Sequence, residues 1–377
     1  MLFNGCLLLG MAYGLFTLFL WRSWKKIPDY KLSGNQISSE STKVSILIPV
    51  RNEAENILAL LQDLNNQSYP FHLFEVWVIN DASTDQTAQL VQDFISQARF
   101  SLHLENLIEE PTLSPKKRAI THTIPKTIGT LILCTDGDCR VGAEWVATIV
   151  SFYEQTNARF ISAPVTFLAV ETFKDNLFTI EFGSLVGAGG ATLAHNRPTM
   201  CNGANIAYQK TAFEAVGGYA ATPKIASGDD EFLMHKIHEK LGGVHFLKSQ
   251  AATVETAAPA SWKFFVQQRK RWASKWKHYS QWPPKLIAIF VFLANAMLLL
   301  SLLLWGFGVF DRYQVQLLWL LKCLPEWLYL GNLLHFFKRK NLYWYIPLLQ
   351  LVYPFYVCFF GLLAQKPQYQ WKNRSLE

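Results

Sequence analysis

The sequence predicts an α/β protein with a doubly wound, mostly parallel sheet and flanking transmembrane helices. Half of the 377 residues are hydrophobic, and the longest apolar stretches lie near the two ends. Between them, short apolar runs alternate with amphipathic helical stretches, the pattern of a parallel sheet covered by helices. These observations predict a membrane anchor at 1–24, a cytoplasmic domain at 43–260, an interfacial helix at 261–283 and a membrane region at 286–364.

The N-terminal segment 2–20 is apolar and carries no charged residue. Its length suits a transmembrane helix, which needs about 20 residues. Trp21, Arg22, Trp24 and Lys25 follow, and aromatic and basic residues of this kind mark a cytoplasmic interface. A signal peptide is disfavoured, because no basic residues precede the apolar run and no small-residue cleavage site follows it. The segment is therefore expected to be an anchor whose C-terminal side faces the cytoplasm.

Three further hydrophobic segments lie near the C-terminus, at 286–310, 315–337 and 342–364. The second contains Lys322 and Glu326, which are four residues apart and share one helical face. These side chains either pair inside the membrane or extend to an interface. The last segment either spans the membrane or lies in its interface, so the region is predicted to contain two or three transmembrane helices.

The composition also excludes some classes of function. The formal net charge is +7, yet the basic residues gather beside the hydrophobic segments, where anionic headgroups attract them. No nucleic-acid-binding motif is visible, so a nucleic-acid partner is not expected. The six cysteines form no CxxC pair, and neither a disulfide framework nor a zinc site is expected.

The central region alternates predicted strands and helices. The first strand, at 44–50, is a continuous apolar run that suits a strand buried on both faces. In doubly wound sheets, ligands bind at the carboxyl ends of the strands. After the first strand the pattern predicts helices at 53–66 and 84–98 and strands at 75–80, 102–107 and 130–135.

Acidic residues follow three of these strands. Asp136 and Asp138 are two apart in an extended segment, so both point the same way and suit a divalent cation that bridges a diphosphate. A turn with solvated acids is the alternative. Asp81 is expected to accept hydrogen bonds from a base or ribose, while Ser83 and Asp85 cap the following helix.

Two further positions near the strand ends each have two interpretations. Glu53 either contacts a ligand or, as a first-turn acid, interacts favourably with the helix dipole. Lys116, with Lys117 and Arg118, either meets phosphate or faces solvent.

A second acidic group, Gly228-Asp229-Asp230-Glu231, begins a predicted helix at 232–240. Acids at a helix start are capping chemistry, which is one interpretation. Three adjacent acids exceed that need, and their mutual repulsion raises a carboxyl pKa toward the range useful for a general base. Asp230 is the candidate base that takes the proton of an acceptor hydroxyl.

The segment 261–283 is dense in cations and aromatic residues, which predicts an amphipathic helix in the membrane interface. Within it, Gln268, Arg271 and Trp272 share one face. Arg271 suits bidentate binding of a diphosphate, and Trp272 suits stacking on a sugar. An ordinary basic membrane anchor is the alternative.

Together these motifs resemble the large inverting family 2 of glycosyltransferases, which have the GT-A fold. The resemblance covers about 43–280, and Asn80 and Ala82 replace a commoner aspartate and glycine of the family. The matching pieces, in the family's order, are Ile48-Pro49-Val50-Arg51-Asn52-Glu53, Asn80-Asp81-Ala82-Ser83-Thr84-Asp85, Asp136-Gly137-Asp138, Gly228-Asp229-Asp230 and Gln268-x-x-Arg271-Trp272.

The resemblance implies a role for each group of residues. Nucleotide-sugar binding is implied for Pro49, Asn52, Glu53, Asp81, Lys116 and Asp136. A Mg²⁺ or Mn²⁺ ion is implied at Asp138, with Asp136 beside it. Catalysis is implied for Asp230, Gln268, Arg271 and Trp272, and the acceptor is expected near Gly203, Asn205 and Asp229.

The implied function is an inverting transfer of a sugar from a nucleotide-sugar donor, with a leaning to UDP. The acceptor is expected to be a lipid or short glycan at the cytoplasmic membrane face, as in enzymes resembling ceramide glucosyltransferase. A processive synthase resembling cellulose or hyaluronan synthase is the alternative. The expected location is a bacterial inner membrane with the catalytic domain in the cytoplasm. The oligomeric state stays open, with a homo-oligomer as one alternative.

Overall fold

The computed structural model of the chain describes residues 1–32, 42–110, 114–169, 172–220, 228–274, 282–363, 369–371 and 374–376. The chain divides into two compact units. The helical unit comprises Met1–Ile27, Val170–Thr192 and Pro259–Tyr369, and the sheet unit comprises Pro28–Ala169, Leu193–Ala258 and Gln370–Glu377. The helical unit thus includes Val170–Thr192 from the middle of the chain, in addition to the hydrophobic segments near its two ends.

The sheet unit is built on a seven-stranded, mostly parallel sheet with the strand order β3-β2-β1-β4-β8-β6-β9. Its strands are β1 (Val44–Val50), β2 (Phe74–Asp81), β3 (Ser101–Leu107), β4 (Leu131–Cys134), β6 (Phe160–Ser162), β8 (Ile206–Gln209) and β9 (Val244–Phe246). A three-stranded sheet contains β5 (Cys139–Val141), β7 (Val165–Phe167) and β10 (Val254–Thr256). The helices are α2 (Ile57–Asn65), α3 (Thr87–Phe94), α4 (Pro115–Thr123), α5 (Trp145–Thr156), α7 (Lys210–Ala215) and α8 (Asp229–Leu241).

The predicted α/β class and the mostly parallel sheet are confirmed. The strands β1 to β4 run parallel to one another, while β8 runs antiparallel to both β4 and β6. Strand β1 lies at the centre of the parallel part, and six of its seven residues are buried. This burial accounts for its unbroken apolar sequence.

Two helices begin later than the sequence predicts. The helix expected from Glu53 begins at Ile57, and the one expected from Thr84 begins at Thr87. The residues before them bond across the two loops instead, since the Glu53 backbone N–H donates to Thr87 Oγ1 at 2.8 Å. The residues before the two helices therefore form hydrogen bonds between the loops instead of additional helical turns.

The described part of the helical unit contains α1 (Leu2–Lys26), α6 (Phe173–Leu193), α9 (Trp262–Ser274), α10 (Trp282–Gly306), α11 (Arg312–Phe336) and α12 (Ile346–Leu363). Three helical stretches in the described residues are long and apolar enough to cross a membrane: Leu2–Lys26, Trp282–Gly306 and Lys340–Leu363. Helix α11 has comparable length but carries charged residues. Residues 275–281 of the predicted interfacial segment lie outside the described residues. A short two-stranded sheet, β11 (Tyr369–Trp371) and β12 (Arg374–Leu376), lies near the end of the chain.

A buried group of polar side chains, which we call the membrane-helix cluster, joins three of these helices. It consists of Tyr13, Lys322, Glu326 and Gln350. Lys322 Nζ lies 2.5 Å from Glu326 Oε2, and the Tyr13 hydroxyl donates to Glu326 Oε1 at 2.6 Å. Gln350 Nε2 donates to the Cys323 carbonyl at 2.6 Å. Of the two interpretations of Lys322 and Glu326, the structure therefore shows pairing in the interior of the unit.

Candidate active site

Three acidic segments meet at one edge of the large sheet. Strand β1 lies between β2 and β4, and all three run parallel. In the register, Val50 is level with Asn80, and Leu47 is level with Cys134. Because parallel strands end at the same edge, the segments after them are neighbours, as the sequence predicts.

The loop after β1 is tied to the loop after β2. Asn52 has a positive φ of 54°, a conformation that asparagine tolerates better than most residues. Its Oδ1 accepts from the Thr84 N–H at 2.8 Å, and its own N–H donates to Ser83 Oγ at 3.0 Å. Asn52 thus holds the two loops together, and its predicted contact with a donor stays a prediction.

Glu53 and Pro49 flank this junction. Glu53 is buried, and its Oε2 accepts from Asn56 Nδ2 at 2.9 Å. A β-carbon on Gly137 would lie 3.0 Å from Glu53 Cγ and 2.7 Å from Val50 Cγ1, so only glycine fits there. Pro49 is half-buried in β1, level with Ile79.

Asp81 is paired with an arginine, and its predicted contact with a base or ribose stays a prediction. Arg118 Nη2 lies 2.5 Å from Asp81 Oδ1, and the Asp81 residue is only 3% exposed. Arg51 Nη1 donates to the Asp81 carbonyl at 2.7 Å. A nucleoside that reaches Asp81 therefore also meets the Arg118 guanidinium. Of the two residues predicted to cap α3, Asp85 accepts from the Thr87 N–H at 3.0 Å, whereas the Ser83 hydroxyl accepts from the Asn52 N–H of the neighbouring loop.

The contacts of Arg51 and Arg118 with Asp81 do not follow from the sequence, which predicts for Arg118 only a place in a basic run facing phosphate or solvent. The available signal was weak: Arg51 belongs to the first motif, and Arg118 to a basic run before a predicted helix. Their partners lie 30 and 37 positions away in the sequence, so the pairing depends on the fold.

Lys116 lies between carboxylates from two parts of the chain. Its Nζ is 2.6 Å from Asp136 Oδ1 and 3.5 Å from Asp229 Oδ2. Burial acts to lower the pKa of Lys116, but the two carboxylates outweigh it and place that pKa well above its ordinary value. Lys116 is therefore a firmly charged ammonium at the strand ends, in contact with acids rather than with solvent alone.

Asp230 is held at the start of α8 by the loop that contains Gly203. Its Oδ2 accepts from the Gly203 N–H at 2.7 Å, and its Oδ1 accepts from the Glu231 N–H at 2.8 Å. Both donors stabilise the ionised carboxylate, which is the form that a general base requires. Gly228 before the helix has a φ of 78°, which favours glycine.

Gly203 allows this close packing. A β-carbon there would lie 3.1 Å from Lys116 Nζ and 3.4 Å from Asp229 Oδ2. Lys116, Asp136, Gly203, Asp229 and Asp230 therefore form one group, which we call the strand-end cluster.

Asn205 has its side chain fully engaged by the protein. Its Nδ2 donates to the carbonyls of Pro164 and Ala252 at 2.8 and 2.7 Å, and its Oδ1 accepts from Trp145 Nε1 at 3.1 Å. These bonds fix the loop on which Gly203 lies. A direct contact between Asn205 and the acceptor stays a prediction.

Asp136 and Asp138 are the residues that would hold a divalent cation. The described residues contain no group of three His, Cys, Asp or Glu side chains arranged for a metal. Two carboxylates nevertheless fit Mg²⁺ chemistry, because this ion commonly takes one or two protein carboxylates and completes its shell with phosphate oxygens and water. The tight packing around Gly137 fixes the backbone between the two acids.

Gln268, Arg271 and Trp272 lie on α9, which belongs to the helical unit. Gln268 Oε1 accepts from Arg269 Nη1 at 2.6 Å, and the Trp272 ring lies 5.8 Å from the Phe182 ring. Their action on a donor or acceptor stays a prediction.

Comparisons with known proteins agree with this fold. The chain is 27% identical over 259 residues to the probable glycosyltransferase YdaM of Bacillus subtilis, covering 66% of this chain and 58% of the relative. It is 28% identical over 136 residues to a beta-monoglucosyldiacylglycerol synthase of Nostoc, covering 36% of this chain and 28% of the relative. The chain thus matches less than two thirds of the length of these curated relatives.

A solved structure and a family model extend the match to nearly the whole chain. A mannosyltransferase of Pyrobaculum calidifontis, solved with GDP-Man and Mn²⁺, superposes with a TM-score of 0.60 at 18% identity, covering 93% of this chain and 99% of that one. This likeness shows the fold, and the predicted GT-A fold is confirmed. The family model for glycosyl transferase family 21 matches residues 4–377. The chain therefore belongs to glycosyl transferase family 21.

Proposed function

We propose that this glycosyltransferase inverts the anomeric centre as it moves a sugar from a nucleotide-sugar donor to a lipid acceptor at the cytoplasmic face of a membrane. The observation that carries the proposal is the strand-end cluster. It brings a charged lysine, an aspartate stabilised as a carboxylate and a further pair of acids to the sheet edge where ligands of such folds bind.

Asp230 is the base in this scheme. Its carboxylate takes the proton of the acceptor hydroxyl, and the hydroxyl oxygen attacks the anomeric carbon from the face opposite the leaving nucleoside diphosphate. The bond to the diphosphate breaks in the same step, so the configuration inverts. The N–H groups of Gly203 and Glu231 hold Asp230 in place for this transfer.

Cations of the protein assist the leaving group. Lys116 is positioned to exchange a carboxylate oxygen for a phosphate oxygen, because it already bridges two acids while its side chain stays partly exposed. Arg271 is the second expected diphosphate contact. A Mg²⁺ or Mn²⁺ ion at Asp136 and Asp138 would neutralise further phosphate charge when bound.

The lipid acceptor is supported by two observations. Three described helical stretches are apolar and long enough to cross a membrane. One of the relatives is named as a synthase of beta-monoglucosyldiacylglycerol, a glycolipid. A donor carrying UDP is our first expectation, and a GDP-sugar is the second because the mannosyltransferase neighbour was solved with GDP-Man.

The test uses the purified full chain in detergent with Mn²⁺, UDP- and GDP-sugars, and diacylglycerol, ceramide or short glycans as acceptors. We expect one glycolipid product of fixed mass with an inverted linkage, identified by mass spectrometry and proton NMR. A polymer ladder would instead indicate the processive alternative, and retention of configuration would contradict the mechanism.

Asp230→Asn tests the base. We expect donor binding to persist and transfer to fall by about 10²–10⁴-fold, the usual contribution of general-base catalysis. Asp93→Asn, on an exposed carboxylate of α3, is the matched control and should transfer normally. Near-normal turnover by Asp230→Asn would reject this assignment.

A further inference from the structure

An arginine inside the Gln268–Trp272 motif is the most buried cation of α9. Arg269 is 3% exposed, whereas its neighbour Lys270 is half-buried. Arg269 Nε lies 3.0 Å from both oxygens of Glu181, and Nη2 bonds Glu181 Oε2 as well. Glu181 on α6 is itself 3% exposed. Arg269 is therefore held in a bidentate ion pair with Glu181.

A third helix supports the pair. The Tyr356 hydroxyl on α12 donates to Glu181 Oε1 at 2.7 Å. Burial alone would lower the pKa of Arg269, but the Glu181 carboxylate outweighs it, so the guanidinium stays charged. Helices α6, α9 and α12 thus converge on one permanent charge.

The other side of the guanidinium faces two motif residues. Arg269 Nη1 donates to Gln268 Oε1 at 2.6 Å. The guanidinium also stacks on the Trp272 ring, with its carbon 4.2 Å from the ring centroid. One buried arginine therefore orients the side chains of both Gln268 and Trp272.

We propose that Arg269 is a positioning residue for the transfer reaction, held by Glu181 and Tyr356 so that the Gln268 amide and the Trp272 ring are presented in one fixed arrangement. The proposal rests on the proposed function, in which Gln268 and Trp272 act on the donor or acceptor. A side chain oriented before substrate arrives avoids the loss of rate that small misplacements cause.

A purely structural role for the pair makes a different prediction. A buried ion pair is often replaced by apolar residues of similar size without loss of stability, whereas removal of one partner alone is destabilising. If the pair only stabilises the helices, an apolar replacement of the whole group should restore both stability and turnover. If Arg269 positions the motif, stability returns but turnover does not.

The experiment compares three variants. The first is Arg269→Met alone, and the second is a triple variant that combines Glu181→Met, Arg269→Met and Tyr356→Phe. The third, Lys270→Met, is the control. Each full-length protein is labelled with 5-fluorotryptophan in detergent, and the Trp272 ¹⁹F resonance is assigned with Trp272→Phe. Thermal midpoint, turnover and the ¹⁹F shift are measured for each.

We expect Arg269→Met to lower the thermal midpoint, shift the Trp272 resonance and reduce turnover about 100-fold. The triple variant should regain the midpoint yet keep the shifted resonance and the low turnover, while Lys270→Met resembles the unmodified protein. An unmoved Trp272 resonance, or full turnover in the triple variant, would overturn the proposal. The resonance reports on Arg269 without catalysis, so absence of transfer by the unmodified protein would instead count against the proposed function.

Discussion

The strand-end cluster and the membrane-helix cluster contain the same kind of pair in opposite settings. Lys116 lies 2.6 Å from Asp136, and Lys322 lies 2.5 Å from Glu326. The side chains of the first pair are 23% and 39% exposed, whereas those of the second are 3% and 10% exposed. Near-identical contacts therefore differ in their access to water and to ligands.

This difference in access separates two roles. A half-exposed pair contributes little to stability and exchanges partners at low cost, which suits a lysine that meets phosphate. A buried pair cannot exchange partners, and the loss of one member leaves an uncompensated charge. The comparison therefore fits the reactivity that we propose for the first cluster and a role of the second in holding helices together.

The largest expected effect comes from breaking the buried pair. Glu326→Ala leaves Lys322 without its carboxylate and Tyr13 without its acceptor. We expect the free energy of unfolding to fall by about 3–5 kcal/mol, seen as a lower thermal midpoint in detergent. Donor affinity, measured by calorimetry below that midpoint, should stay unchanged.

A double variant is the control for this prediction. Lys322→Met with Glu326→Met removes both charges and should recover most of the stability, because no uncompensated charge remains. If the double variant unfolds as easily as Glu326→Ala, the ion pair is not the cause of the loss.

The exposed pair should behave in the reverse manner. Lys116→Ala removes the cation between Asp136 and Asp229 but leaves both acids partly hydrated. We expect turnover to fall by roughly 100-fold or more, with a small change in thermal midpoint, since a single electrostatic contact to a transition state has about this effect. Lys126→Ala, which breaks a similarly exposed pair with Glu105, is the matched control and should leave turnover unchanged.

The pH dependence gives a second check on Lys116. Its pKa is raised in the folded state, so the stabilising charge is fully present below the ordinary lysine pKa and is lost only as pH rises through the raised value. Alkaline conditions up to about pH 10 should therefore not reproduce the effect of Lys116→Ala. A loss of donor affinity at lower alkaline pH that is absent from Lys116→Ala would contradict the raised pKa of Lys116.

Local pattern predicted much of the sheet unit. Strand β1 was predicted with its observed ends, because a strand buried on both faces must be apolar throughout. The meeting of three strand ends followed from the rule for parallel sheets. Strand β8 and its antiparallel direction were not predicted, since a four-residue strand carries little signal in the sequence.

Partners distant in sequence were beyond the reach of the same reasoning. Glu181 and Arg269 are 88 residues apart, and nothing in the sequence around either selects the other. The sequence left Lys116 facing either phosphate or solvent, because its carboxylate partners are distant in sequence. Asp136 follows β4, and Asp229 begins α8. The order of motifs identified the class of enzyme, while only the fold shows which carboxylates Lys116 contacts.

The smallest expected effect concerns the backbone of the strand-end loops. Ala82 has a positive φ of 52°, in the region where an L-residue with a β-carbon is strained. Ala82→Gly relieves that strain, partly offset by the greater freedom of glycine in the unfolded chain, so we expect the protein to gain about 0.5–1 kcal/mol. Ala59→Gly makes the same chemical change inside α2, where the backbone is helical, and should cost about 0.5–1 kcal/mol. Opposite shifts of the two thermal midpoints would show that the site loop stores strain, whereas two equal losses would show that the loop is relaxed around alanine.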